Sequence, residues 1–144
     1  MASHRMPIIP RFGELDPYNH VNHAVYVAYF EAARCVALED IGIALSDLAD
    51  RDLQFVVTTL EVRFREPATG RDRVTVETEV EEIRRASSRW RQRIVRDGDD
   101  RLLVEALVTI GVCDERGKPT RPPADVMDAL ATLSPTPPVP PDEG

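Results

Sequence analysis

Residues 21–42 read VNHAVYVAYFEAARCVALEDIG, and this stretch decides the fold. Its apolar side chains recur at steps of three and four residues, which is the spacing of an α-helix. They cover most of the helix circumference, as in a helix that is surrounded by protein. Gly42 is suited to end the helix. The sequence therefore predicts one long, buried helix over residues 21–41.

Strand patterns surround this helix in the chain. Residues 6–13 predict a short strand, which two prolines keep near a sheet edge. After the helix and a linking segment around 44–53, apolar and polar residues alternate at 60–65 and 74–81 and on further strands near 90–94 and 102–113. The alternation slips at Glu81 and Glu82, which predicts a bulge, and DGDD at 97–100 predicts a hairpin turn.

One helix followed by four long strands in meander order indicates an α+β protein. An antiparallel sheet with one apolar face needs cover, and a single long helix lying across it provides that cover. This order predicts the hotdog fold, in which the sheet wraps around the helix, as a single domain over residues 1–133. A short helix is predicted to begin at Pro123 or Ala124, and residues 134–144 are expected to be an unstructured, proline-rich tail. Because an exposed sheet edge tends to pair with a second copy, we expect a dimer or a tetramer.

Composition excludes several classes of partner. The chain of 144 residues has 18 Lys and Arg against 25 Asp and Glu, a net charge of −7, which argues against binding to nucleic acid or to an anionic membrane surface. No window approaches the ~18 apolar residues of a membrane-spanning helix. The two cysteines, Cys35 and Cys113, lie in apolar runs without CxxC spacing, and no signal peptide is evident, so we expect two buried thiols in the cytoplasm.

Polar residues are concentrated just before the long helix. Asp16 precedes Pro17 and is therefore expected to be extended, ahead of the helix. Asn19 tolerates a left-handed backbone, and Asn22 is a suitable N-cap for a helix that begins near His23. The free N–H groups of the first helical turn, supported by the helix dipole, would then face the same space as the Asp16 carboxylate.

That juxtaposition is suited to acyl transfer. A carbonyl oxygen bound by the helical N–H groups becomes more electrophilic, and its charge in a tetrahedral transition state is stabilised. The adjacent carboxylate can attack the carbonyl carbon or take a proton from water. The alternative interpretation is that Asp16 only caps the helix.

The string RFGELDPYNHVNHAVYVAYFEAAR at 11–34 resembles the signature of the hotdog acyl-CoA thioesterases of the 4-hydroxybenzoyl-CoA type. This resemblance implies hydrolysis of an acyl-CoA, with Asp16 as nucleophile or general base and no cofactor. It also implies that the backbone N–H at His23 holds the thioester oxygen, with a possible contribution from the imidazole. The signature matches at Arg11, Phe12, Asp16, Val21, Tyr26, Ala33 and Arg34.

The same resemblance suggests residues that bind substrate. His20 and Asn22 lie in the signature. For His20 the alternative is a structural role, in which it pins the turn by hydrogen bonds. Tyr26 either lines the acyl pocket or belongs to the helix core. EIRRASSRW at 82–90 resembles the basic turn that meets the phosphates of coenzyme A, with matches at Arg84 and Arg85 and a shared contact from Arg89. Solvated charges at a strand turn are the alternative. Glu31 and Arg34, three residues apart, predict an ion pair.

Other chemistries are less well supported by the sequence. A zinc site at Asp16, His20 and His23 is disfavoured, because Pro17 interrupts the helix that such spacing needs and no H-E-x-x-H is present. Hydration is the nearest enzymatic rival, but DPYNHVNH does not fit the D-x-N-P-x-H pattern. Two alternatives stay open: a thioesterase that acts on acyl groups carried by a carrier protein, and a non-catalytic module that binds acyl-CoA.

Overall fold

The computed structural model describes residues 3–135 of the chain. A five-stranded antiparallel sheet carries one long helix and two short ones. In chain order the elements are β1 His4–Ile8, a 3-10 turn at Phe12–Glu14, α1 His23–Asp40, α2 Leu45–Asp50, β2 Gln54–Phe64, β3 Val74–Ile83, β4 Ser87–Arg96, β5 Leu102–Cys113 and α3 Ala124–Ala131.

Helix α1 has the ends that the sequence predicts. The side chain of Asn22 accepts a hydrogen bond from the Ala24 N–H at 3.0 Å and so caps the helix. Gly42 follows the last turn with a φ of 87°, which glycine adopts without steric cost. The helix is not enclosed on all sides within one chain, because its face through Ala24, Ala28 and Ala32 is exposed. Apolar coverage of the circumference therefore overstated how much of α1 one chain buries.

The strand order in the sheet is β1-β3-β4-β5-β2. The predicted meander is correct for β3, β4 and β5, but it is wrong for β2, which pairs with β5 at the far edge. Alternation within a strand reports which face is buried and not which strand lies beside it. β1 lies at the other edge, as predicted, but it spans His4–Ile8 rather than residues 6–13, and within residues 3–135 it pairs with β3 alone.

Two local predictions for the strands are confirmed. The register of β3 against β4 shifts between Val80 and Glu82, at the predicted bulge. The turn after β4 contains Gly98 with a φ of 100° and Asp100 with a φ of 55°. These left-handed residues reverse the chain into β5.

The connecting and C-terminal segments differ in how well they were predicted. Residues 45–50, expected to be a plain link, form α2, whose Leu48 is buried. The predicted C-terminal helix is present as α3, with Pro123 as its N-cap residue. Most of the predicted tail, residues 136–144, lies outside the described residues.

The core lies between α1 and one face of the sheet. Phe30 and Ala33 of α1 and Trp90, Ile94 and Val104 of the central strands are completely buried. Each large apolar side chain among them contributes about 1.5–3 kcal/mol by leaving water, so the helix is held against the sheet along its length. This is the predicted hotdog arrangement, an α+β fold.

Within residues 3–135, no helix is long and apolar enough to cross a membrane. Cys35 and Cys113 are both free thiols. They are half-buried rather than fully buried as expected.

Candidate active site

The Asp16 carboxylate organises the turn that leads into α1. Its Oδ1 accepts hydrogen bonds from the backbone N–H groups of Tyr18 at 2.8 Å and His20 at 3.0 Å. The Asp16 N–H donates to the His20 carbonyl at 2.7 Å, and Asn19 has the left-handed φ of 63° that its residue type predicts. The turn therefore fixes the half-buried Asp16 side chain through one oxygen, while Oδ2 accepts no hydrogen bond from the described residues.

A cavity of about 150 Å³ opens beside this turn. It combines the turn, the first turn of α1 and the end of β2 with the segment that follows it. Four of the predicted site residues therefore share one cavity with Val21 of the signature and with four residues that the sequence did not suggest. The lining residues are Asp16, His20, Val21, His23, Tyr26, Phe64, Arg65, Glu66 and Pro67.

The N-terminus of α1 contributes an unoccupied donor to this cavity. Asn22 satisfies two of the first N–H groups, since its side chain accepts from Ala24 and its carbonyl from Val25 at 2.9 Å. The N–H of His23, the first helical residue, donates to no acceptor within residues 3–135. The His23 ring packs edge-on against Phe64, with 4.8 Å between ring centroids. His23 thus combines an available backbone donor with an anchored imidazole.

Tyr26 connects α1 to the segment after β2. Its buried hydroxyl accepts a hydrogen bond from the Ala68 N–H at 2.9 Å, and the Val21 N–H donates to the Ala68 carbonyl at 2.9 Å. Burial raises the pKa of Tyr26, with smaller increases from the charges of Asp16 and Asp72, against a lowering by the Ala68 bond. Tyr26 is therefore a neutral phenol at ordinary pH. It belongs to the helix core, as predicted, and it also borders the cavity beside Asp16.

A second tyrosine of α1, Tyr29, connects the helix to the segment that precedes the Asp16 turn. The Tyr29 hydroxyl donates to Glu14 Oε1 at 2.7 Å, and the same oxygen accepts from the Arg11 N–H at 2.8 Å. The Asn22 N–H donates to the Glu14 carbonyl at 2.9 Å. Burial first, and then the bond to Glu14, raise the pKa of Tyr29 far above its usual value. Glu14 thus ties the approach segment to the helix, a role that sequence reasoning missed.

The remaining predicted residues lie elsewhere. Asn22 directs its side chain to the Ala24 N–H and does not line the cavity. Arg84, Arg85 and Arg89 are exposed around the β3–β4 turn, where Arg84 pairs with Glu82 at 3.1 Å. Arg89 lies 3.9 Å from the Glu81 carboxylate.

These arginines are far from the cavity within one protomer. Phe64 is aligned through Val104 with Ile94 of β4, whereas the turn adjoins Ser88, six residues earlier on the same strand. At about 3.3 Å per residue, the separation along β4 is about 20 Å. One protomer therefore does not bring the basic turn to Asp16.

The predicted ion pair between Glu31 and Arg34 is absent, because Arg34 Nη1 donates instead to Gln92 Oε1 at 2.9 Å. The part of the chain that the structure describes contains no group of three or more His, Cys, Asp or Glu side chains placed to hold a metal ion.

The segments that surround Asp16 were suggested in part by the sequence. The string at 11–34 identified the turn and the helix start, whereas Phe64, Arg65, Glu66 and Pro67 carried no signal beyond the end of an alternating strand. Only the pairing of β2 with β5 brings that strand end to the helix N-terminus.

Comparison with known proteins places this chain in a family. The sequence model of the family described as "Thioesterase-like superfamily" matches residues 10–130, more than half of the chain. The acyl-CoA thioester hydrolase YbgC of Escherichia coli strain CFT073 is 31% identical over 124 residues, which are 85% of this chain and 92% of that protein.

Two further proteins are similar to this chain. The crystal structure of a probable thioesterase from Bartonella henselae has a TM-score of 0.78 and 31% identity, covering 85% of this chain and 100% of that one. ATL2, a chloroplastic acyl-acyl carrier protein thioesterase of Arabidopsis thaliana, is 27% identical over 123 residues, 85% of this chain and 65% of that protein.

Proposed function

Because the chain belongs to the thioesterase-like superfamily, we propose that it hydrolyses an acyl-CoA thioester to a free carboxylic acid and coenzyme A. One observation carries the proposal: Asp16 and the first residue of α1, His23, border the same cavity. YbgC, whose name records acyl-CoA thioester hydrolysis, supports the choice of substrate class. Assignment to the 4-hydroxybenzoyl-CoA type and a cytoplasmic location are parts of this proposal.

The helix N-terminus supplies the electrophilic half of the mechanism. The thioester carbonyl oxygen accepts a hydrogen bond from the His23 N–H, at the positive end of the α1 dipole. One such donor stabilises the oxyanion of the transition state by about 3–4 kcal/mol. The anchored His23 imidazole contributes a second polar group beside the same oxygen.

The Asp16 carboxylate supplies the other half. Oδ1 is held by the N–H groups of Tyr18 and His20, so the side chain is oriented before substrate binds. Oδ2 then either attacks the carbonyl carbon, with release of the thiolate and later hydrolysis of the anhydride, or takes a proton from an attacking water. In a single turnover in ¹⁸O-water, an unlabelled first product identifies nucleophilic attack, because the Asp16 oxygen leaves with the acid when water attacks the Asp16 carbon of the anhydride.

His20, Asn22 and Tyr26 assist in this scheme. The His20 ring borders the cavity beside the scissile bond and binds substrate, while its backbone pins the Asp16 turn. Tyr26 forms the wall of the acyl pocket and keeps the Ala68 segment in place. Asn22 acts on substrate through the helix cap that positions the His23 N–H.

Self-association through β2 completes the proposal. β2 has 11 residues and pairs on one side only, with β5, so its other edge presents unpaired backbone groups. Large apolar side chains are exposed along it, including Val57, Leu60 at 37% and Phe64 at 47%. A symmetric dimer joins two copies of β2 antiparallel and buries these side chains.

Dimerisation also gives the basic turn a role. Antiparallel pairing about the centre of β2 brings one protomer's Phe64 beside the other protomer's Phe55 end, the end of the sheet nearest the β3–β4 turn. Arg84, Arg85 and Arg89 of one protomer then bind the phosphates of the coenzyme A whose thioester lies at Asp16 of the other. This arrangement spans the 20 Å that separates the two groups within one protomer.

Thiol release from a panel of acyl-CoAs tests the function. The wild type should hydrolyse at least one member of the panel, and the Asp16→Asn variant should lose most of that turnover. Wild-type turnover by the variant would remove Asp16 from the mechanism. Tight binding of acyl-CoA by the wild type without any hydrolysis would show a binding module instead.

Acyl groups on a carrier protein are the second candidate substrate. ATL2, named for carrier-linked substrates, is similar over 85% of this chain, and Arg84 is already paired with Glu82. Comparison of kcat/KM for one acyl group on coenzyme A and on acyl carrier protein decides between the two. A strong preference for the carrier, unchanged in Arg84→Gln/Arg85→Gln, would favour the second candidate.

A further inference from the structure

A second cavity lies on the other half of α1, between the helix and the β2 edge of the sheet. Its volume is about 350 Å³, larger than the cavity at Asp16 and within the usual range for small-molecule sites. Its walls are mainly apolar. The apolar lining residues are Leu38 of α1, Leu45 of α2, Phe55 and Val57 of β2, and Ile110 of β5, and the acidic side chain of Glu31 also borders the cavity.

One cationic side chain also lines this apolar cavity. Arg34 is only 8% exposed, and its Nη1 donates to Gln92 Oε1 at 2.9 Å. That acceptor is a neutral amide. No carboxylate lies within 4 Å of the guanidinium among residues 3–135, and its other N–H groups have no acceptor there. Burial lowers the pKa of Arg34, although Glu31 and Cys35 act in the opposite direction.

Hydrogen bonds of the Gln92 amide fix the position of the Arg34 guanidinium. The Gln92 amide N–H₂ donates to the Phe30 carbonyl at 2.9 Å and to Thr78 Oγ1 at 3.0 Å, so its Oε1 can only face Arg34. Arg34 is therefore anchored through one nitrogen, and the rest of the guanidinium stays available. Glu31 borders the same cavity and its charge favours the charged form of Arg34, but it makes no ion pair with the guanidinium. A carboxylate that enters the cavity would supply the directly hydrogen-bonded counter-charge that a buried guanidinium needs.

We propose that this cavity binds the carboxylate of an aliphatic acid, with the carboxylate on the Arg34 guanidinium and the chain against Leu38, Phe55 and Ile110. The planar guanidinium matches a carboxylate through two parallel hydrogen bonds. The apolar residues beside the Arg34 guanidinium suit a molecule with a carboxylate at one end and an aliphatic body.

Two sources supply such a carboxylate. The first is a free fatty acid, which needs no assumption about catalysis. The second is the distal carboxylate of a dicarboxylic acyl-CoA, and this source rests on the proposed function. Val57 lies seven residues before Phe64, about 23 Å along β2. The second source therefore requires the proposed dimer, in which Phe55 of one protomer borders Phe64 of the other.

Direct binding tests the site without reference to hydrolysis. Decanoate and its uncharged counterpart 1-decanol are titrated at pH 7 by calorimetry, and the Arg34 Nε–H resonance is followed by NMR in the wild type. Charge-assisted hydrogen bonds predict that decanoate binds about ten- to a hundredfold more tightly and shifts the Arg34 resonance. Equal affinity, or a resonance that decanoate leaves unmoved, overturns the proposal.

Three variants distinguish the effect of the Arg34 charge from the effect of the cavity volume. Arg34→Gln should reduce the preference for decanoate over decanol to less than threefold, whereas Arg34→Lys should keep part of it. Leu45→Trp narrows the cavity at a half-exposed position and should weaken both ligands alike. Unchanged affinities in Leu45→Trp, or a full preference retained by Arg34→Gln, would place the ligand elsewhere and contradict the proposal.

Turnover measurements then show which molecule supplies the carboxylate that binds Arg34. If the distal carboxylate is the ligand, decanedioyl-CoA has a higher kcat/KM than decanoyl-CoA, and Arg34→Gln abolishes the difference. If the free acid is the ligand, both esters react alike and decanoate binding still depends on Arg34. Intact decanoate binding with no hydrolysis of either ester contradicts the proposed function alone and leaves this site standing.

Discussion

The Oδ1 oxygen of Asp16 accepts a hydrogen bond from the backbone N–H of His20 at 3.0 Å, so the carboxylate helps to hold the turn on which it lies. A second hydrogen bond, from Tyr18 at 2.8 Å, reaches the same oxygen. The structural and the chemical roles of Asp16 are thus divided between its two oxygens, and substitutions can separate them.

Asp16→Asn should lower turnover by about 10²–10⁴-fold, because an amide cannot act as general base or nucleophile, while its carbonyl oxygen still accepts both N–H groups. The stability of the variant should therefore stay close to that of the wild type. The measurements are thiol release and urea unfolding.

Asp16→Ala is the matched comparison. It loses both hydrogen bonds as well as the chemistry, so its free energy of unfolding should fall by about 1–3 kcal/mol beyond that of Asp16→Asn. Equal stability of the two variants would show that the turn does not depend on Oδ1.

Asn22→Ala should destabilise the protein by about 1 kcal/mol, because the Ala24 N–H loses its capping oxygen. Turnover should also fall, since the cap positions the His23 N–H that is proposed to bind the carbonyl. Asn22→Ser retains a capping oxygen and should restore both properties to near wild type. A turnover loss that Ser does not rescue would assign Asn22 a direct contact with substrate.

Leu60→Lys should shift the protein from dimer to monomer at micromolar concentration, because a charge then lies in the middle of the β2 edge. Light scattering after size exclusion measures the change. Ile9→Lys is the control, since Ile9 is even more exposed but follows β1 at the opposite edge of the sheet. Activity should fall with the dimer if the basic turn serves the partner's site, and a fully active monomer would contradict that arrangement.

Arg84→Gln/Arg85→Gln should raise KM for an acyl-CoA by about tenfold and leave kcat nearly unchanged, because the lost contacts lie far from the thioester. The same acyl group on pantetheine, which lacks the nucleotide phosphates, should react equally with wild type and variant. A parallel loss on both substrates would place these arginines outside phosphate recognition.

Tyr29 makes stability depend on alkaline pH. Because burial and the bond to Glu14 raise the pKa of Tyr29 in the folded state above its ordinary value of about 10, the unfolded chain loses this proton first. The contribution of Tyr29 to the free energy of unfolding is therefore fully present below pH 10 and is lost as the pH rises above 10. Tyr29→Phe should be less stable than wild type at pH 7, through loss of the Glu14 bond, and should show a shallower decline between pH 9 and 11. Identical slopes for the two proteins would contradict this origin.

Local sequence chemistry determined the elements and the turn of the candidate site. The N-cap at Asn22, the left-handed Asn19, the Gly42 helix end and the bulge after Val80 each follow from the conformations that single residues prefer, and the structure has all four. The apolar spacing of 21–41 predicted the central helix in the same way. These features depend on neighbours within a few residues, so one sequence suffices to predict them.

Tertiary structure alone decided which distant segments meet. Alternation in β2 does not reveal that it pairs with β5 and leaves an open edge, nor that Phe64 thereby reaches His23. Arg34 appeared to be a partner for Glu31 by spacing, yet packing directed it to Gln92, 58 residues away. Burial and long-range contacts depend on the free energy of the whole packed chain, which no short window of sequence contains.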